Sequence, residues 1–228
     1  MNPPRSDWKL TAWIFVAALA TALVSLLLEG TGQAGTTLYL RNTGRLAAVI
    51  FAVAFSASAL VTLFGDRLSW PARHRRNLGL GFAGVMAVHF VAIVALFFVR
   101  EPQYTGITLP GNETSPWIMP VLVLLGGGAG LLIVLAMSIT SFAAPRRRLG
   151  EQRWRHLHHL GGWFLLLIIS VDTFDGLFRE QRLIDIPFCL IVLAVVSLRA
   201  SAHLASRQSI LGPTTGTERA SPQGSTDL

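Results

Sequence analysis

Charged residues are absent from six stretches of this chain, residues 10–28, 46–65, 77–99, 114–145, 156–171 and 186–198, which together hold 123 of its 228 residues. The stretches are long and predominantly apolar, without the strict alternation of a barrel strand. A hydrocarbon core about 30 Å thick needs about 20 helical residues to cross it. No water reaches the backbone there, so each crossing must bond within itself as a helix. The first four stretches are long enough unaided. The fifth reaches Phe178 if Asp172 and Asp175 lie at the interface, and the sixth extends over residues 183–204 on the same terms. The pattern predicts an all-α integral membrane protein: a six-transmembrane-helix bundle over residues 10–205, a short lead at 1–9 and a tail at 206–228. The first span is expected to be a retained helix, because its 19-residue apolar core exceeds the 7–15 of a cleaved signal.

The connections follow from the gaps. Residues 30–44, rich in Gly and Thr, read as an outer loop, residues 66–76 as a compact basic inner loop, and residues 100–115, with Pro102 and Pro110, as a second outer loop. The tail carries 13 Ser, Thr, Gly or Pro among 23 residues and is expected to be disordered.

Composition adds an exclusion. Only 14% of residues are charged, against about 25% in soluble domains, so a water-soluble globule is ruled out. The net charge of +7 raises nucleic acid as a partner, and its distribution removes it. With both termini inside, 14 of the 19 basic residues face the cytoplasm beside 5 acidic ones. That is the positive-inside bias, and it predicts a multi-pass plasma-membrane protein, N-in and C-in. The lipid bilayer is the expected partner, and no nucleic acid is. Cys189 stands alone, so neither an intrachain disulfide nor a CxxC pair is available. The run Gly126-Gly127-Gly128-Ala129-Gly130 in the fourth span is expected to serve close helix packing, with space beside a cofactor as the other reading.

Histidines carry the chemistry. Ionisable groups inside spans are costly and point to function. His89 lies near the middle of the third span with no carboxylate in that span to pair with, which suits either a hydrogen-bonded neutral ring or a metal or heme ligand. His156, His158 and His159 stand at the inner boundary of the fifth span beside Arg153 and Arg155, as an interfacial cluster or as ligands. His74 sits in the basic loop and His203 at the last helix end. Zinc wants closely spaced Cys/His or His/Glu sets, which are missing. Heme needs only one or two imidazoles in a slot between apolar helices.

The sequence Arg75-Arg76-Asn77-Leu78-Gly79-Leu80, then His89, then Trp154-x-x-Leu157-His158-His159-Leu160 resembles the ferric reductase-like transmembrane domain family. The heme-binding membrane subunits of methionine-sulfoxide reductase systems are the variety it is most similar to. The resemblance covers about residues 40–200. It implies a b-type heme between the third and fifth spans, passing electrons from a cytoplasmic flavin or pyridine-nucleotide donor, such as a flavin reductase, to an extracytoplasmic acceptor. Any FMN or FAD would sit on a partner or at the cytoplasmic face. By position, His89 matches the third-helix ligand and His158 the inner fifth-helix ligand, making these two the metal-ligating candidates. The family's further histidine, 13 residues after the inner one, is Val171 here, and its aromatic slot four residues after is Gly162. One heme is therefore expected, not two.

Depth leaves its ligands open. If the spans start at Asn77 and Leu157, His89 lies about 18 Å in and His158 about 1.5 Å in, at 1.5 Å per residue. His74 or Arg75 then matches His158 in depth. The cofactor-binding candidates are thus His89, His158, His74 and Arg75. The arrangements are an inner heme on His158 and His74, a heme held by His89 alone, or none. In the last case the chain would be a non-redox scaffold or transport component with a degenerate site. Whatever enzyme it serves, no nucleotide-binding catalytic domain fits within this chain.

Overall fold

The computed structural model describes residues 8–29, 33–99, 118–178 and 181–211. Within them the chain is almost entirely helical and contains no strand. In order the helices are α1 (Trp8–Glu29), α2 (Gln33–Phe64), α3 (Trp70–Arg73), α4 (Arg75–Val99), α5 (Ile118–Ile139), α6 (Ala143–Leu149), α7 (Glu151–Phe178) and α8 (Ile186–Leu211). Short 3₁₀ turns occupy Gly65–Leu68 and Leu183–Asp185. Helices α1, α2, α4, α7 and α8 are long and apolar enough to cross a membrane. The Gly126–Ile139 part of α5 and α6, bent by 105° where they meet, make a sixth when taken together. Most of the lead expected at 1–9, the outer loop at 100–115 and the tail beyond Leu211 lie outside the described residues.

Helix α2 is the hub. It packs against α1, α4 and α8, while α5 joins α4 to α7, and α7 returns onto α8. Its buried face is small and aromatic: Ala47, Phe51, Ala54, Phe55, Ala57 and Ala59. Lipid tails are as apolar as leucine, so helices associate in a membrane by close packing, which small side chains permit. Leu27, Leu132, Leu167 and Leu190 stay exposed on α1, α5, α7 and α8, as a lipid-facing surface requires.

Four boundaries differ from the expected ones. The loop expected at 30–44 is mostly the start of α2. Gly and Thr lower helix propensity by at most about 1 kcal/mol each, and tertiary bonds override that here. Thr43 Oγ1 donates back to the Tyr39 carbonyl at 2.8 Å, Tyr39 donates to the Val88 carbonyl of α4 at 3.0 Å, and Asn42 donates to Ser25 of α1 at 3.2 Å. The basic loop is also structured, with Pro71 at the start of α3, where a missing N–H costs nothing. Helix α7 begins at Glu151 rather than near Leu157, after Gly150 turns the chain at φ 83°. Helix α8 runs six residues past the boundary expected at 205.

The glycines divide. Among the described residues a Cβ at Gly126, Gly127 or Gly128 would meet nothing within 4 Å, and the close packing expected for that run is seen at Gly130, 3.2 Å from Ile168. The tight approaches lie elsewhere: on α4, where a Cβ at Gly81 would lie 2.7 Å from Ile14 of α1, and on α7. A Cβ at Gly161 would lie 2.8 Å from Ile133 and Met137 of α5, and one at Gly162 would collide with the Phe55 ring. Gly162→Ala is expected to lower stability by about 1–3 kcal/mol through overpacking, read as a lower melting temperature in detergent. Gly79→Ala, where the added Cβ meets nothing, is the matched control and is expected not to lower it.

A buried ion pair ties the other end of the bundle. Arg45 of α2 forks onto Asp185 Oδ1 through Nε at 3.0 Å and Nη2 at 2.7 Å. Arg182 Nε lies 3.1 Å from Oδ2 of the same carboxylate, which is only 5% exposed.

Candidate functional site

A cavity of about 340 Å³ opens between α2, the α3–α4 corner, α5, α6 and the first turns of α7. That is within the roughly 300–1,000 Å³ of small-molecule and cofactor sites. Phe51, Phe55, Phe82, Val134 and Leu165 supply apolar walls, and Arg73, Arg75, Arg76 and Arg146 line it from the helix ends. No carboxylate lines it, and its one imidazole is His158.

His158 is held by its own helix. Its Nδ1 lies 3.1 Å from the Trp154 carbonyl one turn back. A carbonyl only accepts, so Nδ1 carries the hydrogen and a neutral ring keeps its lone pair on Nε2. Trp154 stacks on His158 at 4.4 Å between ring centroids, and the Arg146 guanidinium lies 3.9 Å over the Trp154 ring. Glu151 fixes Arg146 through bonds of 3.1 and 2.7 Å and takes Arg155 at 2.9 Å. The α6–α7 corner is therefore a short ladder of guanidinium, indole and imidazole.

The other candidates fall in different places. Arg75 lines the cavity with His158. His74 does not: its ring stacks on Trp70 at 4.9 Å, with Nδ1 3.0 Å from the Trp70 carbonyl. His89 is also outside the lining, which on α4 ends at Phe82. With α4 starting at Arg75 and α7 at Glu151, His89 is about 21 Å and His158 about 10 Å along their helices, which narrows the expected offset without closing it. Of their neighbours in the sequence cluster, His156 and His159 are exposed.

His89 has its own partner. Its Nδ1 is 2.9 Å from Thr43 Oγ1 of α2. That hydroxyl has a single hydrogen, already directed at the Tyr39 carbonyl at 2.8 Å, so it accepts from His89 Nδ1–H and leaves Nε2 basic. Thr43→Val would bury that N–H without an acceptor and is expected to lower stability by about 1–3 kcal/mol. Thr43→Ser keeps the oxygen and is expected to stay close to the parent in the same thermal melt.

Several lining residues escaped the sequence reading. Phe51 and Phe55 stack at 5.3 Å, and their i, i+4 spacing marks one helix face. Phe55 also fills the volume beside Gly162, the position that the resemblance makes an aromatic slot on α7. Met137 and Arg146 carry no such signal, since their role depends on how α5 and α6 bend.

Comparison with known proteins adds to this geometry. The family described as "Ferric reductase like transmembrane component" matches residues 43–169. The chain is 31% identical over 158 residues to a protein-methionine-sulfoxide reductase heme-binding subunit MsrQ from Cronobacter sakazakii, covering 68% of this chain and 70% of that one. Proteins of the same description from Ralstonia nicotianae, 26% identical over 70% of both chains, and Deinococcus radiodurans, 27% identical over 70% of this chain and 74% of that one, are also similar. No solved structure matches it.

Proposed function

Because this chain belongs to the ferric reductase-like transmembrane family, we propose that it is the b-type heme-binding membrane subunit of an oxidoreductase, carrying electrons between a cytoplasmic donor and an acceptor across the membrane. The single observation that carries the reading is the cavity: apolar aromatic walls, arginines at the helix ends and one imidazole. Those residues fit a heme. The imidazole can ligate iron, the phenylalanines suit the flat apolar macrocycle, and the arginines suit its propionates. Iron so held would supply one-electron chemistry.

The chain's own residues do the rest. His158 would ligate through Nε2, with the Trp154 carbonyl fixing the ring's tautomer and orientation, as outer partners of ligating histidines do. Arg75 and Arg73 would hold the anionic edge and keep the cofactor in register with the helix ends. His89, with its basic Nε2 kept by Thr43, and His74 are the two further imidazoles the sequence nominates, and each would need to reach the iron from outside the cavity lining. One heme is the stoichiometry that a single cavity of this size supports. The arginine-lined end faces the cytoplasm in the N-in, C-in topology, where a flavin reductase or similar donor would dock.

The test is the spectrum of the purified full chain, expressed with ample heme. Reduced-minus-oxidised Soret and α bands at about one heme per chain are expected. Absence of both bands overturns the reading in favour of a scaffold that kept the bundle and lost the cofactor.

A further inference from the structure

We infer that Trp154 is the hydrogen-bond donor with which the cavity recognises the anionic group, a carboxylate or a phosphate, of the molecule it holds; this rests on reading the cavity as a cofactor site. Among the described residues, Trp154 is the one cavity-lining side chain whose buried N–H meets no acceptor. A buried donor without an acceptor is unfavourable, and such groups in native structures call for a partner. The indole is not free to turn away from the wall. It lies on His158 at 4.4 Å and under Arg146 at 3.9 Å, and Arg146 is anchored to Glu151.

The surrounding charge selects the partner's sign. Four arginines and no carboxylate line the cavity. Arg146 is engaged by Glu151, and Arg76 lies 5.7 Å over Trp8 and 5.1 Å over Phe142. Arg73 and Arg75 form no ion pair among the described residues. Arg199 of α8 adds a further cation 3.9 Å over the ring of Phe55. A neutral occupant could accept from the indole but would leave these cations without a counter-charge. A carboxylate or phosphate satisfies both, and charge-assisted bonds are the stronger kind.

The experiment compares matched anionic and neutral probes on the purified, heme-depleted full chain. Hemin is titrated against its dimethyl ester by Soret absorbance, and flavin mononucleotide against riboflavin by fluorescence quenching. Trp154→Phe keeps an aromatic ring against His158 and removes the N–H; Arg75→Gln is the second variant, and a thermal melt checks that both fold. The parent is expected to prefer the anionic member of at least one pair, and Trp154→Phe to lose about ten- to a hundred-fold of that preference, its loss of affinity for the neutral member being the smaller. Preference in the hemin pair identifies a carboxylate, and in the flavin pair a phosphate. If Trp154→Phe discriminates as the parent does, or the parent discriminates in neither pair, the inference is overturned. Hemin binding with discrimination in neither pair removes this inference and leaves the heme reading standing. Discrimination in the flavin pair with no binding of hemin does the reverse.

Discussion

Replacing His158 by alanine is expected to abolish the Soret and α bands of the purified protein while leaving its melting temperature close to that of the heme-free parent. The cavity holds one imidazole, so its removal leaves no nitrogen ligand in the lining, and the nearest arginines cannot substitute because guanidinium has no acceptor lone pair. Stability is spared because His158 is only half-buried and its Nδ1 bond runs to its own helix. Addition of free imidazole to His158→Gly is expected to restore part of the absorbance, which a folding defect would not allow. His89→Ala is expected to keep the bands, since His89 lies beyond the cavity's outermost α4 residue, Phe82. Should His89→Ala abolish them and His158→Ala retain them, the cofactor lies instead beside Thr43, between α2 and α4.

The second large effect concerns Asp185. Its carboxylate is shared by Arg45 and Arg182, with side-chain exposures of 18%, 18% and 7% for Arg45, Arg182 and Asp185. Removing one member of a buried pair leaves an uncompensated charge and typically costs about 3–5 kcal/mol. Asp185→Ala takes the shared carboxylate away from both guanidiniums and is expected to fall in that range, with a correspondingly early thermal transition in detergent. Asp185→Asn, which still accepts hydrogen bonds, is expected to lose less. An Asp185→Ala melt indistinguishable from the parent would show that water or lipid headgroups reach both arginines. The heme spectrum of any folded fraction is expected to persist, because this cluster contributes no cavity-lining residue.

Much of this architecture was legible in the sequence because lipid solvation is a blunt constraint. Charge-free runs located the spans, and the α helices overlie all six. What escaped were the ends. Residues 33–45 carry Gly35, Thr36 and Gly44 and look like a loop by local propensity. They are helical because Tyr39, Asn42 and Thr43 bond outward and back to α4, α1 and their own turn. Helix α7 starts upstream of Leu157 because Glu151, Arg153 and Arg155 form its wet first turns. The shift lifts His158 by two turns and sets it among aromatic walls. Of the four candidate site residues, His158 and Arg75 share one cavity while His89 and His74 do not. Depth along the helices already sets His89 apart, but His74 and Arg75, adjacent in the sequence, are divided only by their facing, His74 onto Trp70 and Arg75 into the cavity.

The length of α2 has a consequence for the membrane itself. Its 32 residues measure about 48 Å at 1.5 Å per residue, well beyond a hydrocarbon core of about 30 Å. Counting back from Phe64, about 30 Å ends close to Arg45. The Arg45–Asp185 pair therefore falls near the waterline, and the first turns of α2 continue past it as a helix braced against α1 and α4 through Asn42 and Tyr39. Proteases and antibodies applied from that side should find a helix there rather than a slack loop, and any acceptor protein docking from that side would meet a fixed post.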